Sequence, residues 1–115
     1  MTKAFDRLYW HDGNLAEVAF SVDARGRSNV QLLVLLYVDD QASHRVPYRI
    51  SCQGVSRFQC SLDGDELKSN AFAGNISNAY LKANTLWVYF TDGMLEARAE
   101  RFRITSASGA VPASP

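Results

Sequence analysis

The sequence predicts an all-β domain: an antiparallel β-sandwich or partly open barrel of about seven strands, with little helix. Three observations lead there. Runs rich in β-branched and aromatic residues alternate apolar with polar side chains at a period of two. Turn signals recur about every ten residues. No long stretch carries the 3.6-residue period of an amphipathic helix. At 115 residues the chain has the size of one domain that buries a core without staples. We expect a single β domain over residues 1–105, followed by a flexible tail over 106–115, "SASGAVPASP", too small and polar to offset the entropy of ordering.

Residues 1 to 14 are expected to form an irregular lead-in that packs Phe5, Leu8, Tyr9 and Trp10 on the domain. In the first strand Ala16, Val18, Phe20 and Val22 alternate with Glu17, Ala19, Ser21 and Asp23, as in a half-buried strand. The polar stretch "DARGRSN" is a turn. Val30 to Val38 is the second strand, closed by "DDQAS". In the third, Tyr48, Ile50, Cys52, Phe58, Cys60 and Leu62 share one parity, with Gly54 between the two halves. An isolated glycine inside a strand marks a bulge or bend. A continuous strand holds Cys52 and Cys60 about 26 Å apart, beyond disulfide reach, whereas a fold-back near Gly54 to Arg57 brings them together. The expectation is a bent strand with free, buried thiols. "DGDELKSNAFAGN" reads as a loop or a single helical turn, and "ISNAYLKAN" as a short strand closed by Asn84.

"LWVYFTDGMLEARAE" is a hairpin with Asp92-Gly93 at the turn. That placement pairs Tyr89 with Glu96 and sets Arg98 across from Trp87, where the guanidinium stacks on the indole. One face carries Leu86, Val88, Phe90, Leu95, Ala97 and Ala99 and must be core. Past Ala99 the apolar parity changes to Phe102 and Ile104, so a bulge is expected near Glu100 or Arg101.

The second face raises the functional question. Leu33, Leu35 and Tyr37 stand behind the core face of the second strand, and Trp87, Tyr89 and Met94 behind that of the hairpin. A sheet wetted on one side alternates cleanly, and these strands do not. Together the six side chains approach the area at which exposure marks an interaction site. Three covers are open: the N-terminal "FDRLYW" segment, a second copy of the chain, or a different protein.

Candidate chemistry is sparse. Lys plus Arg equals Asp plus Glu, twelve of each, so no global positive surplus serves nucleic-acid binding, although a local basic patch around Arg25 and Arg27 stays open. The longest apolar run, Leu32 to Val38, is too short to span a bilayer, and the N-terminus shows no secretory pattern, so a cytoplasmic location and no membrane partner are expected. His11-Asp12 and His44 hold the only histidines; a solvated turn explains His11-Asp12 better than a catalytic dyad. Two histidines and two cysteines at these spacings do not build a zinc site. Asp39-Asp40 ends a strand, and Asp63, Asp65 and Glu66 lack the spacing of a calcium loop. There is no phosphate loop, G-x-S-x-G elbow or H-E-x-x-H. We therefore expect no catalytic residue, no metal and no cofactor.

The opening "LYWHDGNLAEVAFSVD", the apolar strand after it, and "QGVSRF", "GNISNAY" and "LWVYFTDGMLEARAERFRI" resemble small bacterial β-sandwich families of unknown function. They also resemble immunity proteins of bacterial toxin systems, which often begin with a His-Asp pair before the first long strand. The resemblance covers most of residues 8 to 104 and rests on His11-Asp12, Gly54-Val55, Gly74-Asn75-Ile76 and Asp92-Gly93. It implies a non-enzymatic protein-binding role and assigns no functional residue. The expected function is a protein-binding domain using the six-residue second face. The alternatives are a small-ligand or carbohydrate-binding domain, with the outward aromatics stacking on a sugar or carboxylates converging in a cleft, and a homodimeric structural protein.

Overall fold

The computed structural model describes residues 8–62, 75–91 and 93–107. They form six strands: β1 (Tyr9–Val22), β2 (Ser28–Tyr37), β3 (Arg45–Ser61), β4 (Ile76–Lys82), β5 (Thr85–Phe90) and β6 (Gly93–Ser106). No helix occurs among the described residues. All strands belong to one antiparallel sheet in the order β1-β2-β3-β6-β5-β4. The class is therefore all-β and antiparallel, with one curled sheet in place of two stacked ones. The expected helical turn near Glu66 lies outside the described residues.

Two three-stranded meanders meet along β3 and β6. The β3–β6 ribbon runs from Tyr48↔Ser106 to Ser61↔Met94. β2 pairs only with its first half, Arg45 to Gln53, and β5 only with the start of β6, Gly93 to Arg98. The molecule thus has two arms that share the ribbon. The sheet curls so that β1 and β4, its two ends, touch at an Asn14↔Asn75 bridge. Apolar side chains fill the inside of the curl. Val30, Leu32, Val34 and Leu36 of β2 are fully buried, with Ile50 and Cys52 of β3, Leu86 and Val88 of β5, and Leu95, Ala97 and Phe102 of β6 packed around them.

The parity change on β6 is made jointly by both ribbon strands. Inward residues step from Ala99 to Phe102 on β6 and from Cys52 to Val55 on β3, while the pairing stays in register from Gln53↔Arg101 to Val55↔Ala99. Gly54 lies at this step with φ +66°, a region open to glycine and costly for other residues. The register shift itself falls on β3, between Val55 and Arg57, and not on β6 near Glu100. It returns Phe58 to the core side. β3 is one bent strand, as expected. Both thiols are free, but only Cys52 is buried; Cys60 is exposed, at the end of the arm that β2 does not cover.

Other expectations are corrected. The N-terminal segment is not irregular throughout: β1 starts at Tyr9, and Trp10 enters the core. On the same strand Phe20 and Val22 are exposed, because the β1–β2 hairpin extends past the second arm. The β5–β6 pairing begins at Phe90↔Gly93, so Gly93 opens β6 and does not close the turn as expected. Asp92 lies outside the described residues. Gly93 is required in the strand because a Cβ there would collide with the Ser61 carbonyl. The register moves by an even step in total, so every face assignment of the hairpin survives. Trp87 then stands across from Glu96, and Arg98 across from Thr85, so the expected Trp87–Arg98 stack is absent. At the other end β6 reaches Ser106, and the Ala107 N–H donates to the Pro47 carbonyl (3.1 Å).

Candidate binding surface

The outer side of the sheet holds all six expected surface residues, in two separate places. Leu33, Leu35 and Tyr37 lie on β2, and Trp87, Tyr89 and Met94 on the β5–β6 hairpin, with β3 standing between β2 and β6. They do not form one patch.

The β2 group is largely covered by the chain's own charged residues. Glu17, Leu33 and Arg49 stand in one row across β1, β2 and β3. Arg49 Nη1 reaches Glu17 Oε1 (3.8 Å) and donates to Gln31 Oε1 (3.3 Å), so its aliphatic stem crosses over Leu33. Leu33 is only 4% exposed although it is outside the core cluster. Further along, Tyr9, Tyr37 and Arg45 form a second row. The Arg45 guanidinium lies 4.7 Å from the Tyr37 ring centroid, and its Nε donates to the Asp12 carbonyl (2.9 Å). Leu35 and Tyr37 remain half-buried.

The hairpin group is open. Tyr89 is exposed and pairs with half-buried Met94. Trp87 is half-buried, opposite Tyr80 of β4. Tyr80 is 54% exposed and meets Tyr89 edge-on at 6.0 Å, with its hydroxyl accepting from Asn78 Nδ2 (2.8 Å). Tyr80, Trp87 and Tyr89 thus form an outward aromatic cluster. Sequence reasoning missed Tyr80. The signal was present: a two-residue Ala83-Asn84 turn places Tyr80 directly across from Trp87.

The cluster borders the seam of the curled sheet. β1 bulges away from β2 over Trp10 to Gly13 before the pairing resumes at Asn14. Between the pairs Tyr9↔Tyr37 and Asn14↔Leu35, β2 has only Leu36 where β1 has Trp10 to Gly13. Asp12 takes φ +65°, which aspartate tolerates better than most residues, and Gly13 packs against Leu36 with no room for a Cβ. His11 Nδ1–H donates to the Ser77 carbonyl (3.3 Å), and buried Asn14 bridges to Asn75. Beyond these contacts β1 and β4 diverge around a groove of about 510 Å³, lined by Trp10, Ala79, Leu81 and Lys82 together with the three outward aromatics. The outward edge of β4 past Ser77 pairs with no described strand.

The His-Asp pair therefore does structural work. His11 Nε2 is 3.6 Å from Asp12 Oδ2, both side chains are well exposed, and the other ring nitrogen is spent on a backbone carbonyl. Asp39 Oδ1 accepts the Gln41 N–H inside the β2–β3 turn. Among the described residues no three His, Cys, Asp or Glu side chains converge as a metal site would need, and no helix is long and apolar enough to cross a membrane. Asp63, Asp65 and Glu66 lie outside the described residues. Burial pushes the Cys52 thiol up to about 12, the opposite of an activated nucleophile.

Compared with known proteins, the chain matches no family model, no curated protein and no solved structure.

Proposed function

We propose that the chain is a non-enzymatic protein-binding domain that engages its partner through Tyr80, Trp87 and Tyr89. The observation that carries this reading is their outward placement beside the open edge of β4 and the seam groove. Tyr and Trp offer large, stiff contact area at low entropic cost, which is why they dominate interface energetics. An edge strand with free backbone donors and acceptors adds a mode of docking in which a partner segment extends the sheet. Trp87, Tyr89 and Met94 remain in the expected interface; Leu33, Leu35 and Tyr37 leave its centre, since they stand apart from the cluster and Arg49 and Arg45 lie over Leu33 and Tyr37. The immunity-type role implied by the resemblance is one version of this reading.

Self-association is the second reading, favoured by the same open β4 edge, which a second copy fits antiparallel to itself. Light scattering on the full chain across a wide concentration range separates the two. A hetero-partner requires a monomer throughout. A dimer that Tyr80→Glu dissolves moves the function to the homodimer, and a dimer insensitive to Tyr80→Glu and Tyr89→Glu removes the cluster from both readings.

A further inference from the structure

A second concavity, of about 580 Å³, lies on the other arm, away from the aromatic cluster. Ser21, Asn29, Gln53 and Arg101 cross its floor in a single row, one from each of β1, β2, β3 and β6. Three inter-strand gaps make that row about 14 Å long. Ser51, opposite Arg103 on the ribbon, lies in the next row. Short serine side chains leave the volume of the groove open.

The two carboxylates at the rim are already engaged. Glu100 Oε1 is 3.3 Å from Arg27 Nη2, and Asp23 Oδ1 accepts the N–H groups of Arg25 (2.9 Å) and Arg27 (3.0 Å). Asn29 Nδ2 donates to the Arg27 carbonyl (3.4 Å), and Gln31 accepts from Arg49. Against this background Ser21, Ser51, Gln53 and Arg101 make no side-chain hydrogen bond or ion pair among the described residues. Four polar groups thus line one groove without a protein partner among the described residues, Ser21 and Arg101 exposed and Ser51 and Gln53 half-buried. One is a planar guanidinium, whose fork matches a carboxylate or phosphate. The others are two hydroxyls and an amide, which both donate and accept, as a polyol requires.

We propose that this groove binds a small polyol carrying one anionic group, a sugar acid or a sugar phosphate. Arg101 takes the anion, and Ser21, Ser51 and Gln53 take the hydroxyls. The site is independent of the aromatic cluster, so failure of either leaves the other measurable.

The test is a two-dimensional amide NMR titration of the full chain with glucuronate, glucose 6-phosphate and glucose. The expected result is saturable shifts centred on Ser21, Ser51, Gln53 and Arg101 with at least one anion, and binding of neutral glucose at least about tenfold weaker. Arg101→Met should weaken the anion about tenfold, the order expected of one charge-assisted hydrogen-bond pair. Gln53→Ala should weaken anion and glucose alike. Whichever anion binds tighter identifies the carboxylate or the phosphate as the recognised group. Absence of saturable shifts with both anions, or shifts unchanged in Arg101→Met, overturns the proposal.

Discussion

Gly54 and Glu100 interlock at the bend of the β3–β6 ribbon. The backbone of Gly54 takes φ +66°, and the Glu100 side chain fills the place a Cβ would occupy, its Cδ 2.8 Å from that position. Both strands change inward parity here, which lets one ribbon serve two arms. Gly54→Ala should therefore destabilise the fold by about 1–2 kcal/mol, the cost of the left-handed region for an L residue. Removing the obstacle with Glu100→Ala should restore little of it, since the exposed Arg27–Glu100 pair is worth at most about 1 kcal/mol and the backbone cost remains. Urea unfolding of the single and double variants checks this.

Ala83 offers the converse case. It closes the β4–β5 turn at φ +55° without being glycine. Ala83→Gly relieves about 1–2 kcal/mol of backbone strain and adds back about 0.4–1 kcal/mol of unfolded-state entropy. A net gain of about 0.5–1 kcal/mol, seen as a higher urea midpoint at unchanged slope, is expected. A loss would contradict the turn geometry.

Leu33 and Tyr89 were equivalent in the sequence, as outward apolar residues, and differ in the structure. Leu33→Ala should cost about 2–3 kcal/mol, as for a buried leucine, because the Glu17–Arg49 pair encloses it. Tyr89→Ala should cost under about 1 kcal/mol. Thermal melts of the two variants report the difference directly; equal losses would contradict the division of the outer face into a covered and an open part.

Cys52 ties stability to alkaline pH. Burial raises its thiol from 9.0 to about 12, so the folded state keeps a proton that the unfolded state releases above 9. The contribution is intact below that pH and is lost progressively between about 9 and 12, at about 1.4 kcal/mol per pH unit. Stability measured against pH should fall over this window, and less steeply in Cys52→Ala. A thiol reagent should label exposed Cys60 in the native protein and Cys52 only on unfolding. Equal labelling rates would contradict the burial.

The parts legible in the sequence follow from period-two patterning. Val30 to Leu36, the core face of the hairpin and the bend at Gly54 were all readable, because side-chain parity survives an even register error. What was not readable depends on how the sheet curls. Phe20 and Val22 carry a core pattern but stand beyond the reach of the second arm. Trp10 was expected to pack on the domain from an irregular lead-in, yet it belongs to β1, and the excess residues that follow it accompany its entry into the core. Leu33 looked like interface, yet a charged pair two strands wide conceals it. Long side chains reaching across strands leave no periodic signal. The open cluster needed Tyr80, whose place depends on a two-residue turn without glycine.

Site-specific photo-cross-linking in the native cell tests the docking surface most directly. A benzophenone amino acid at Tyr89 should give a discrete adduct with a partner protein, and the same group at exposed Ala19, on the outer side of the other arm, should not. No adduct from Tyr89, or the same adducts from both positions, would contradict the account.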